Sequence, residues 1–509
     1  MSDVTTIEAD VPGRYADAVS ARLRTAAADD VVGRVWRKDG TLWAPEGTPE
    51  VTNRLGWLDI AERSREVLSD YEALRDELLE EGYTDVVVLG MGGSSLAPEV
   101  FRQSFGPQEG ALRLHVLDST HPDEVRKYLD GLNLDKSLMV VSSKSGGTIE
   151  PMSMYKAFSA RVDGTHFVAI TDPGTSLEKL AQGFRRVFHG DPEIGGRYSA
   201  LSAFGLVPAV LAGFDVAGIL DSAIGAAEEC KGDRGNAGLW LGCALGELAL
   251  QGRDKLTIVA DAPLSSYGVW AEQLVAESTG KHGRGILPIA DEPLVDGYGD
   301  DRVFLHVALD DPGNAEKLAA LKAAGHPVIT LKALGPTDLG RIFYLSEFAV
   351  AVAGWVLEIN PFDQPNVQEA KDNTNRVLKE GSPGLDPGNV SDLTEGLAPP
   401  AYFAIMGYLP YSEQIEAAVA RLRARLIEQH HVATTWGYGP RFLHSTGQFH
   451  KGGPKVGRFL QVVDEPSQDL EIPGEEFTFG TLIRAQADGD LQTLRNHGLP
   501  AVRIDVKEL

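Results

Sequence analysis

The stretch 85–99, Asp-Val-Val-Val-Leu-Gly-Met-Gly-Gly-Ser-Ser-Leu-Ala-Pro-Glu, constrains the fold most, because an apolar run there meets a glycine-rich turn. A short run rich in β-branched residues that ends at glycine is typical of a buried strand in a parallel sheet. Glycine lets the backbone turn tightly and approach a ligand, and a helix N-terminus presents free N–H groups to an anion. The stretch therefore predicts a strand, a turn and a helix start around an anion site.

A second turn of the same design lies in 138–150, Leu-Met-Val-Val-Ser-Ser-Lys-Ser-Gly-Gly-Thr-Ile-Glu, where a short strand leads into hydroxyls, a lysine and two glycines. Neither turn fits the dinucleotide-binding fingerprint, and neither strand is followed by the Gly-Lys-[Ser/Thr] of a nucleotide P-loop. One such turn is equally consistent with an ordinary connection between a strand and a helix. Two in succession, both with hydroxyls, favour a clamp for a phosphate or a sulfonate.

The order of predicted elements indicates an α/β protein with doubly wound parallel sheets. Apolar residues at helical spacing fill the N-terminal part, strands alternate with helices from about 84 to 215, and a second such series begins near 255. A helix at 411–430 and strands near 455–463 and 501–506 give the C-terminal part a mixed character. We predict a helical region 1–80, α/β domains 81–235 and 236–375, and a mixed region 376–509.

Composition limits the possible partners and the compartment. The formal net charge of −26 argues against nonspecific binding to nucleic acid or to an anionic membrane. Cys230 and Cys243 lack metal-type spacing and are expected to be reduced, buried thiols. No secretory leader is recognised and the apolar runs are too short to span a bilayer, so we expect a cytoplasmic protein. An anion must then be held by local cations, for which the candidates are Lys144, Arg197, Lys281 and Lys371.

A candidate general base lies in 272–281, Glu-Gln-Leu-Val-Ala-Glu-Ser-Thr-Gly-Lys. Gly280 reads as a helix stop, so Glu277 occupies the last turn of a helix. A carboxylate there opposes the helix dipole, which raises its pKa and suits it to accept a proton. Considered alone, Glu277 is more simply interpreted as a solvated charge at a helix end.

Five motifs together resemble the glucose-6-phosphate isomerase family, and they occur in the family's order. They are Gly-Met-Gly-Gly-Ser-Ser (90–95), Ser-Lys-Ser-Gly-Gly-Thr (143–148), Gly-Gly-Arg-Tyr-Ser (195–199), Glu-Ser-Thr-Gly-Lys (277–281) and Asn-Pro-Phe-Asp-Gln-Pro…Lys (360–371). The chain is most similar to the isomerase half of transaldolase–isomerase fusion proteins. The resemblance implies two tandem sugar isomerase (SIS) domains in a homodimer, acting on glucose 6-phosphate in glycolysis and gluconeogenesis without a metal or cofactor.

The resemblance also implies roles for single residues. Glu277 matches the base that moves a proton between C1 and C2, Arg197 the residue beside the cis-enediolate, and Lys371 a lysine that assists ring opening. The matching phosphate-binding positions are Ser94, Ser143, Lys144, Ser145 and Thr148. The matching sugar-binding positions are Gly93, Gln273 and Gln364.

One departure from the family concerns ring opening. The family's usual histidine lies in a Gly-Gln-His motif, whereas the corresponding stretch 296–302 has no histidine. The stretch 444–451, His-Ser-Thr-Gly-Gln-Phe-His-Lys, could supply one from another position, and His450 is our candidate. Two alternatives stay open: an isomerase of another acidic sugar, such as mannose 6-phosphate or a 6-sulfonated glucose, and a noncatalytic sugar-phosphate sensor.

Overall fold

The computed structural model describes residues 7–310, 313–381 and 384–509, and within these ranges the strands form three sheets. The strands are β1 (Ile7–Asp10), β2 (Asp85–Leu89), β3 (Arg113–Leu117), β4 (Ser137–Ser142), β5 (Phe167–Thr171), β6 (Arg186–His189), β7 (Lys255–Ala260), β8 (Leu287–Ile289), β9 (Arg302–Ala308), β10 (Val328–Lys332), β11 (Tyr402–Tyr408), β12 (Ala433–Tyr438), β13 (Gly457–Val463) and β14 (Ala501–Asp505).

The α-helices precede, separate and cover these strands. They are α1 (Gly13–Ala28), α2 (Val31–Trp36), α3 (Ile60–Glu66), α4 (Leu68–Glu80), α5 (Leu96–Phe105), α6 (Pro122–Gly131), α7 (Ile149–Ser159), α8 (Ser176–Leu180), α9 (Ala203–Leu211), α10 (Val216–Glu229), α11 (Ala237–Leu250), α12 (Tyr267–Thr279), α13 (Ala315–Ala323), α14 (Leu339–Val356), α15 (Val367–Glu380), α16 (Ser391–Thr394), α17 (Glu413–His430), α18 (Gly447–Gly452) and α19 (Phe479–Asn496).

The first sheet has the order β3-β2-β4-β5-β6 and is parallel throughout, which confirms the predicted doubly wound arrangement. Strands β2 and β4 are direct neighbours, with Leu89 opposite Val141. Because parallel strands end at the same edge of a sheet, the two glycine-rich turns that follow them lie side by side. Strand β6 forms one edge of this sheet.

The second sheet has the order β1-β10-β9-β7-β8. Strands β7 to β10 are parallel, as predicted, and β1 pairs antiparallel with β10 at the edge, with Ile7 opposite Leu331. The N-terminal region is therefore helical except for one strand that the helical periodicity did not reveal. Only Ile7 of this strand is buried, so no apolar alternation marks it in the sequence.

The C-terminal region is more regular than its sequence indicated. Strands β12, β11, β13 and β14 form a third parallel sheet. Helix α15 crosses the predicted domain boundary at 375/376, so the division there stays a prediction.

The first sheet is buried on both faces, and β2 shows how. Val86 and Val88 belong to the largest apolar core, which also contains α14. Val87 and Leu89 belong to a second core that includes Phe479 from α19. Alternate residues of a strand point to opposite faces, so this one strand joins the central core to the C-terminal region.

One helical segment, Pro336–Val356, is long and apolar enough by composition to cross a membrane, and 89% of its apolar window is buried inside the protein. It contains α14, whose side chains pack in the central core. Its hydrophobicity is thus accounted for by packing within the fold.

Candidate active site

The hydroxyl groups predicted to bind an anion gather at the start of α7. Ser143 Oγ, just after β4, donates a hydrogen bond to Thr148 Oγ1 at 3.1 Å, and the Ser145 hydroxyl lies 3.4 Å from the same atom. Thr148 directly precedes the first residue of α7. The cluster therefore combines three hydroxyls with the positive end of a helix dipole. Ser94, in the neighbouring turn after β2, is 8% exposed.

Gly93 allows two predicted motifs to touch. A Cβ atom at this position would lie 1.9 Å from the carbonyl oxygen of Gly196, so any larger residue would force the two backbones apart. The Ser199 hydroxyl also donates to the Gly93 carbonyl at 3.3 Å. The turn after β2 is thereby held against the turn that carries Arg197.

Lys144 differs from the other predicted phosphate ligands. Its ammonium binds Asp172 Oδ2 at 2.6 Å and donates to the Asp191 carbonyl at 2.7 Å. Burial lowers the pKa of Lys144, although the Asp172 carboxylate counteracts it. The Lys144 ammonium is thus paired with a carboxylate of its own chain. This pairing offsets the positive charge that was expected to hold the anion.

The predicted base and its cation lie together. Glu277, in the last turn of α12, is 6% exposed, and its Oε2 atom lies 3.4 Å from Nη1 of Arg197, which is 1% exposed. Burial raises the pKa of Glu277, whereas the charge of Arg197 and the Gln273 amide act in the opposite direction. Gln273 Nε2 lies 3.4 Å from Glu277 Oε1, one helical turn away. A carboxylate of raised pKa beside a fixed cation suits general base chemistry.

Arg197 is held by a loop that the sequence also marked. Its Nε atom donates to Ser278 Oγ at 2.8 Å, and Nη2 donates to the carbonyls of Pro361 and Asp363 at 2.7 and 3.0 Å. Its Nη1 atom also donates to Gln364 Oε1. Arg197, Glu277, Gln273 and Gln364 therefore form one connected cluster.

His444 contacts this cluster through its backbone carbonyl. Its carbonyl accepts a hydrogen bond from Gln273 Nε2 at 2.9 Å, and its ring Nε2 lies 3.0 Å from Glu150 Oε1. Burial alone would raise the pKa of Glu150, yet this pKa is lowered, chiefly by His444 and more weakly by Lys371. His444, Thr148 and Lys371 line one cavity of about 130 Å³.

The structure places His450 elsewhere. This ring is 4% exposed, its Nδ1 lies 3.0 Å from the Tyr402 hydroxyl, and it stacks on the Tyr402 ring. Burial, with a smaller effect of Lys451, lowers the pKa of His450 to about 3. A ring packed in this way is a core residue, and we replace it by His444 as the candidate for ring opening.

Sequence reasoning missed three residues of the site. His444 opens the same segment as His450, and only the fold distinguishes the two. Glu150 lies two residues after Thr148, but its sequence position does not reveal that it faces a histidine. Gln486 Nε2 donates to Glu150 Oε1 at 2.8 Å and lines the cavity from α19. No motif in the sequence marks Gln486.

The chain is similar in sequence to known proteins. The family model "Phosphoglucose isomerase" matches residues 79–228, which contain the first three motifs. The chain is 28% identical to the glucose-6-phosphate isomerase of Rubrobacter xylanophilus, over 75% of this chain and 99% of the relative. It is 29% identical to that of Citrifermentans bemidjiense, over 69% of this chain and 75% of the relative.

These matches support the glucose-6-phosphate isomerase family for this chain. Among solved structures, a hypothetical protein of Thermus thermophilus is 26% identical with a TM-score of 0.61, over 73% of this chain and 99% of that one. A glucose-6-phosphate isomerase of Chlamydia trachomatis is 18% identical with a TM-score of 0.60, over 71% of this chain and 86% of that one. The second likeness shows the glucose-6-phosphate isomerase fold.

Within residues 7–310, 313–381 and 384–509, no group of three or more His, Cys, Asp and Glu side chains is arranged to hold a metal ion. The site instead offers a carboxylate, an arginine, a histidine–glutamate pair and a hydroxyl cluster.

Proposed function

We propose that this protein is a glucose-6-phosphate isomerase, an aldose–ketose isomerase that interconverts glucose 6-phosphate and fructose 6-phosphate. The observation that carries the proposal is the buried pair of Glu277 and Arg197, whose Oε2 and Nη1 atoms lie 3.4 Å apart. This pair is linked through Gln273 to His444, which lines the same cavity as the hydroxyl of Thr148. The relatives named above support the same activity.

The phosphate is bound by the hydroxyls of Ser143, Ser145 and Thr148, with Ser94 beside them in the adjacent turn. The start of α7 adds its backbone N–H groups and the positive end of its dipole. Binding energy at the phosphate lies far from the reacting carbons, where it positions the sugar for reaction. Lys371, at the rim of the cavity, adds positive charge without being buried.

Ring opening needs one proton delivered to the ring oxygen and one removed from the hydroxyl on C1. His444 Nε2 is paired with Glu150 Oε1, and Gln486 fixes this carboxylate. We assign the ring-opening proton transfers to this pair together with Lys371. An imidazole can both give and accept a proton, which the two transfers of ring opening require.

Isomerisation then moves one proton between neighbouring carbons. Glu277 removes the proton from C2 of the open aldose, and the electrons of that C–H bond form the C1–C2 double bond of a cis-enediolate. The C1 carbonyl electrons move onto O1, and Arg197 stabilises the resulting negative charge. A proton passes from the hydroxyl on C2 to O1, and Glu277 returns its proton to C1 to give the ketose. A fixed cation in a buried site contributes strongly to this stabilisation because water does not screen it.

The test is a coupled assay of fructose 6-phosphate formation, with and without EDTA. We expect turnover of glucose 6-phosphate that EDTA does not change. Mannose 6-phosphate and 6-sulfonated glucose, assayed in parallel, separate the acidic-sugar alternatives, because hydroxyls alone accept either anion. Tight binding of glucose 6-phosphate without turnover would instead identify a sensor and overturn the proposal.

We also propose that the enzyme is cytoplasmic, acts in glycolysis and gluconeogenesis, and forms a homodimer. The family resemblance supports the pathway and the dimer, and the burial of Pro336–Val356 is consistent with a protein outside the membrane. Light scattering at micromolar concentration tests the dimer directly.

A further inference from the structure

Lys281 is a buried cation that the mechanism above does not use. It is 0% exposed, and its ammonium donates to the Asn360 carbonyl at 2.7 Å, to the Asp363 carbonyl at 2.6 Å and to Asp363 Oδ1 at 2.6 Å. An ammonium has three N–H donors, so each one is directed at the loop 360–364.

Two cations therefore hold one loop. Arg197 donates to the carbonyls of Pro361 and Asp363, and the Asp363 carbonyl is shared between Arg197 and Lys281. The next residue, Gln364, contacts Arg197 through its side-chain oxygen. A displacement of the Asp363 carbonyl would therefore change the positions of both the Arg197 guanidinium and the Gln364 side chain.

We propose that Lys281 is a positioning residue for the isomerisation, because it fixes the loop 360–364 and so orients Arg197 and Gln364 beside Glu277. This inference rests on the proposed function. Lys281 acts through these residues and does not itself touch the reacting carbons.

The loop has a separate anchor that keeps the fold intact. Phe362 is 1% exposed, and its ring lies 5.0 Å from that of Trp43 and 5.5 Å from that of Tyr198, measured between centroids. This apolar packing secures the middle of the loop in the central core. Loss of Lys281 is therefore expected to disturb Asp363 and Gln364 more than the position of the whole loop.

The charge of Lys281 depends on its surroundings. Burial and, to a smaller extent, the charge of Arg197 lower the pKa of Lys281 to about 8, while Asp363 and Glu277 raise it. As pH rises through this value the ammonium loses one of its three donors and its charge. We expect kcat to fall on the alkaline side with an apparent pKa near 8.

The test compares Lys281→Met with Lys255→Met. Lys255 is a matched control because it is 1% exposed, is paired with carboxylates and lies on β7 away from the loop. We expect Lys281→Met to lower kcat about 10²-fold and to change KM less than about threefold, as for an interaction realised in the transition state. Lys255→Met is expected to lose stability but to keep kcat per folded molecule.

A double-mutant cycle with Gln364→Ala separates positioning from general damage. If Lys281 acts through the loop, the double variant has nearly the kcat of Lys281→Met alone, because the glutamine is already misplaced. Independent, multiplicative losses would overturn the proposal, as would an unchanged kcat in Lys281→Met.

A second variant, Asp363→Ala, keeps the inference testable even if Lys281→Met does not fold. Removing this carboxylate removes one acceptor and lowers the pKa of Lys281, so the alkaline limb of kcat should move to lower pH. If the alkaline limb of the pH profile of kcat stays at the same pH, the proposal is contradicted. Failure of the wild-type enzyme to turn over glucose 6-phosphate would instead refute the proposed function, so the two failures are distinguishable.

Discussion

At the scale of single residues, two buried glutamates on one helix have different surroundings. Glu277 faces Arg197, whereas Glu272 accepts a hydrogen bond from the Ala290 backbone N–H at 3.0 Å. Burial raises the pKa of Glu272 to about 7 and raises that of Glu277 as well. A raised pKa therefore does not single out the base, and only the neighbouring guanidinium does.

This contrast gives a prediction for Glu277→Gln. The amide keeps the shape of the side chain but cannot accept the C2 proton, so we expect kcat to fall about 10³-fold or more, within the range for a general base. The measurement is the coupled fructose 6-phosphate assay. Glu272→Gln, on the same helix, is the control and should retain most of its activity. Near-normal turnover of Glu277→Gln would contradict its role.

His444 gives a second prediction. His444→Ala removes the ring that pairs with Glu150 at the cavity, so we expect about a 10²-fold lower kcat on the cyclic sugar. The C2 proton transfer uses Glu277 and should persist, so exchange of that proton in the open-chain form is expected to be less affected. Deuterium exchange followed by NMR measures this step. Equal losses in both steps would place His444 outside ring opening.

His450 predicts an effect on stability instead. Its folded pKa of about 3 lies below the usual value of 6.5, so the unfolded chain takes up a proton that the folded chain refuses. Stability is unaffected above about pH 6.5 and falls as pH decreases toward 3, by up to about 1.4 kcal/mol per pH unit. We expect the free energy of unfolding in urea to fall less between pH 7 and pH 5 for His450→Phe than for the wild type. Activity per folded molecule should stay near the wild-type value.

At the scale of elements, the short helix α18 depends on α19. Lys451 Nζ lies 2.7 Å from Asp490 Oδ1, and both side chains are at most 2% exposed. Removing one member of a buried ion pair leaves the other charge without compensation, which costs about 3–5 kcal/mol.

We therefore expect Lys451→Met to lower the free energy of unfolding by about 3–5 kcal/mol in urea titrations. The double variant Lys451→Met/Asp490→Leu should recover part of that loss, because no unpaired charge remains. A single variant as stable as the wild type would show that the pair contributes little.

The sequence predicted elements best where the apolar pattern was clean. Strands β2 and β4, the start of the second series at β7, and helix α17 were predicted within a few residues. Helix α19 was missed because buried polar residues, among them Gln486, Asp488 and Asp490, interrupt its apolar periodicity. The run 402–408 is apolar throughout, and β11 could have been found from it.

The site residues could be predicted where they lie within a recognisable motif. They could not be predicted where folding brings distant segments of the chain together. The cluster of Glu277, Arg197 and Gln364 followed from motifs. The choice of His444 over His450 depends on how a C-terminal segment packs against Glu150 in the first sheet's domain. Neither residue differs from the other in local pattern, so only the tertiary structure decides between them.

At the scale of the whole molecule, the contacts that join Glu277, Arg197, Gln273, His444 and Glu150 form within one chain. If the protein forms a homodimer, its dissociation removes none of them. We expect activity per chain to stay constant on dilution from about 1 µM to about 1 nM, even where mass photometry shows monomers. A loss of activity that tracks dissociation would mean that the partner completes the site.

The hydrogen bond from Gln486 to Glu150 joins α19 to a residue that the ribosome makes far earlier. During synthesis, the phosphate clamp can form long before His444 and Gln486, which complete the group around Glu150, have left the exit tunnel. A nascent chain should therefore acquire its substrate's docking point before it can open the sugar ring.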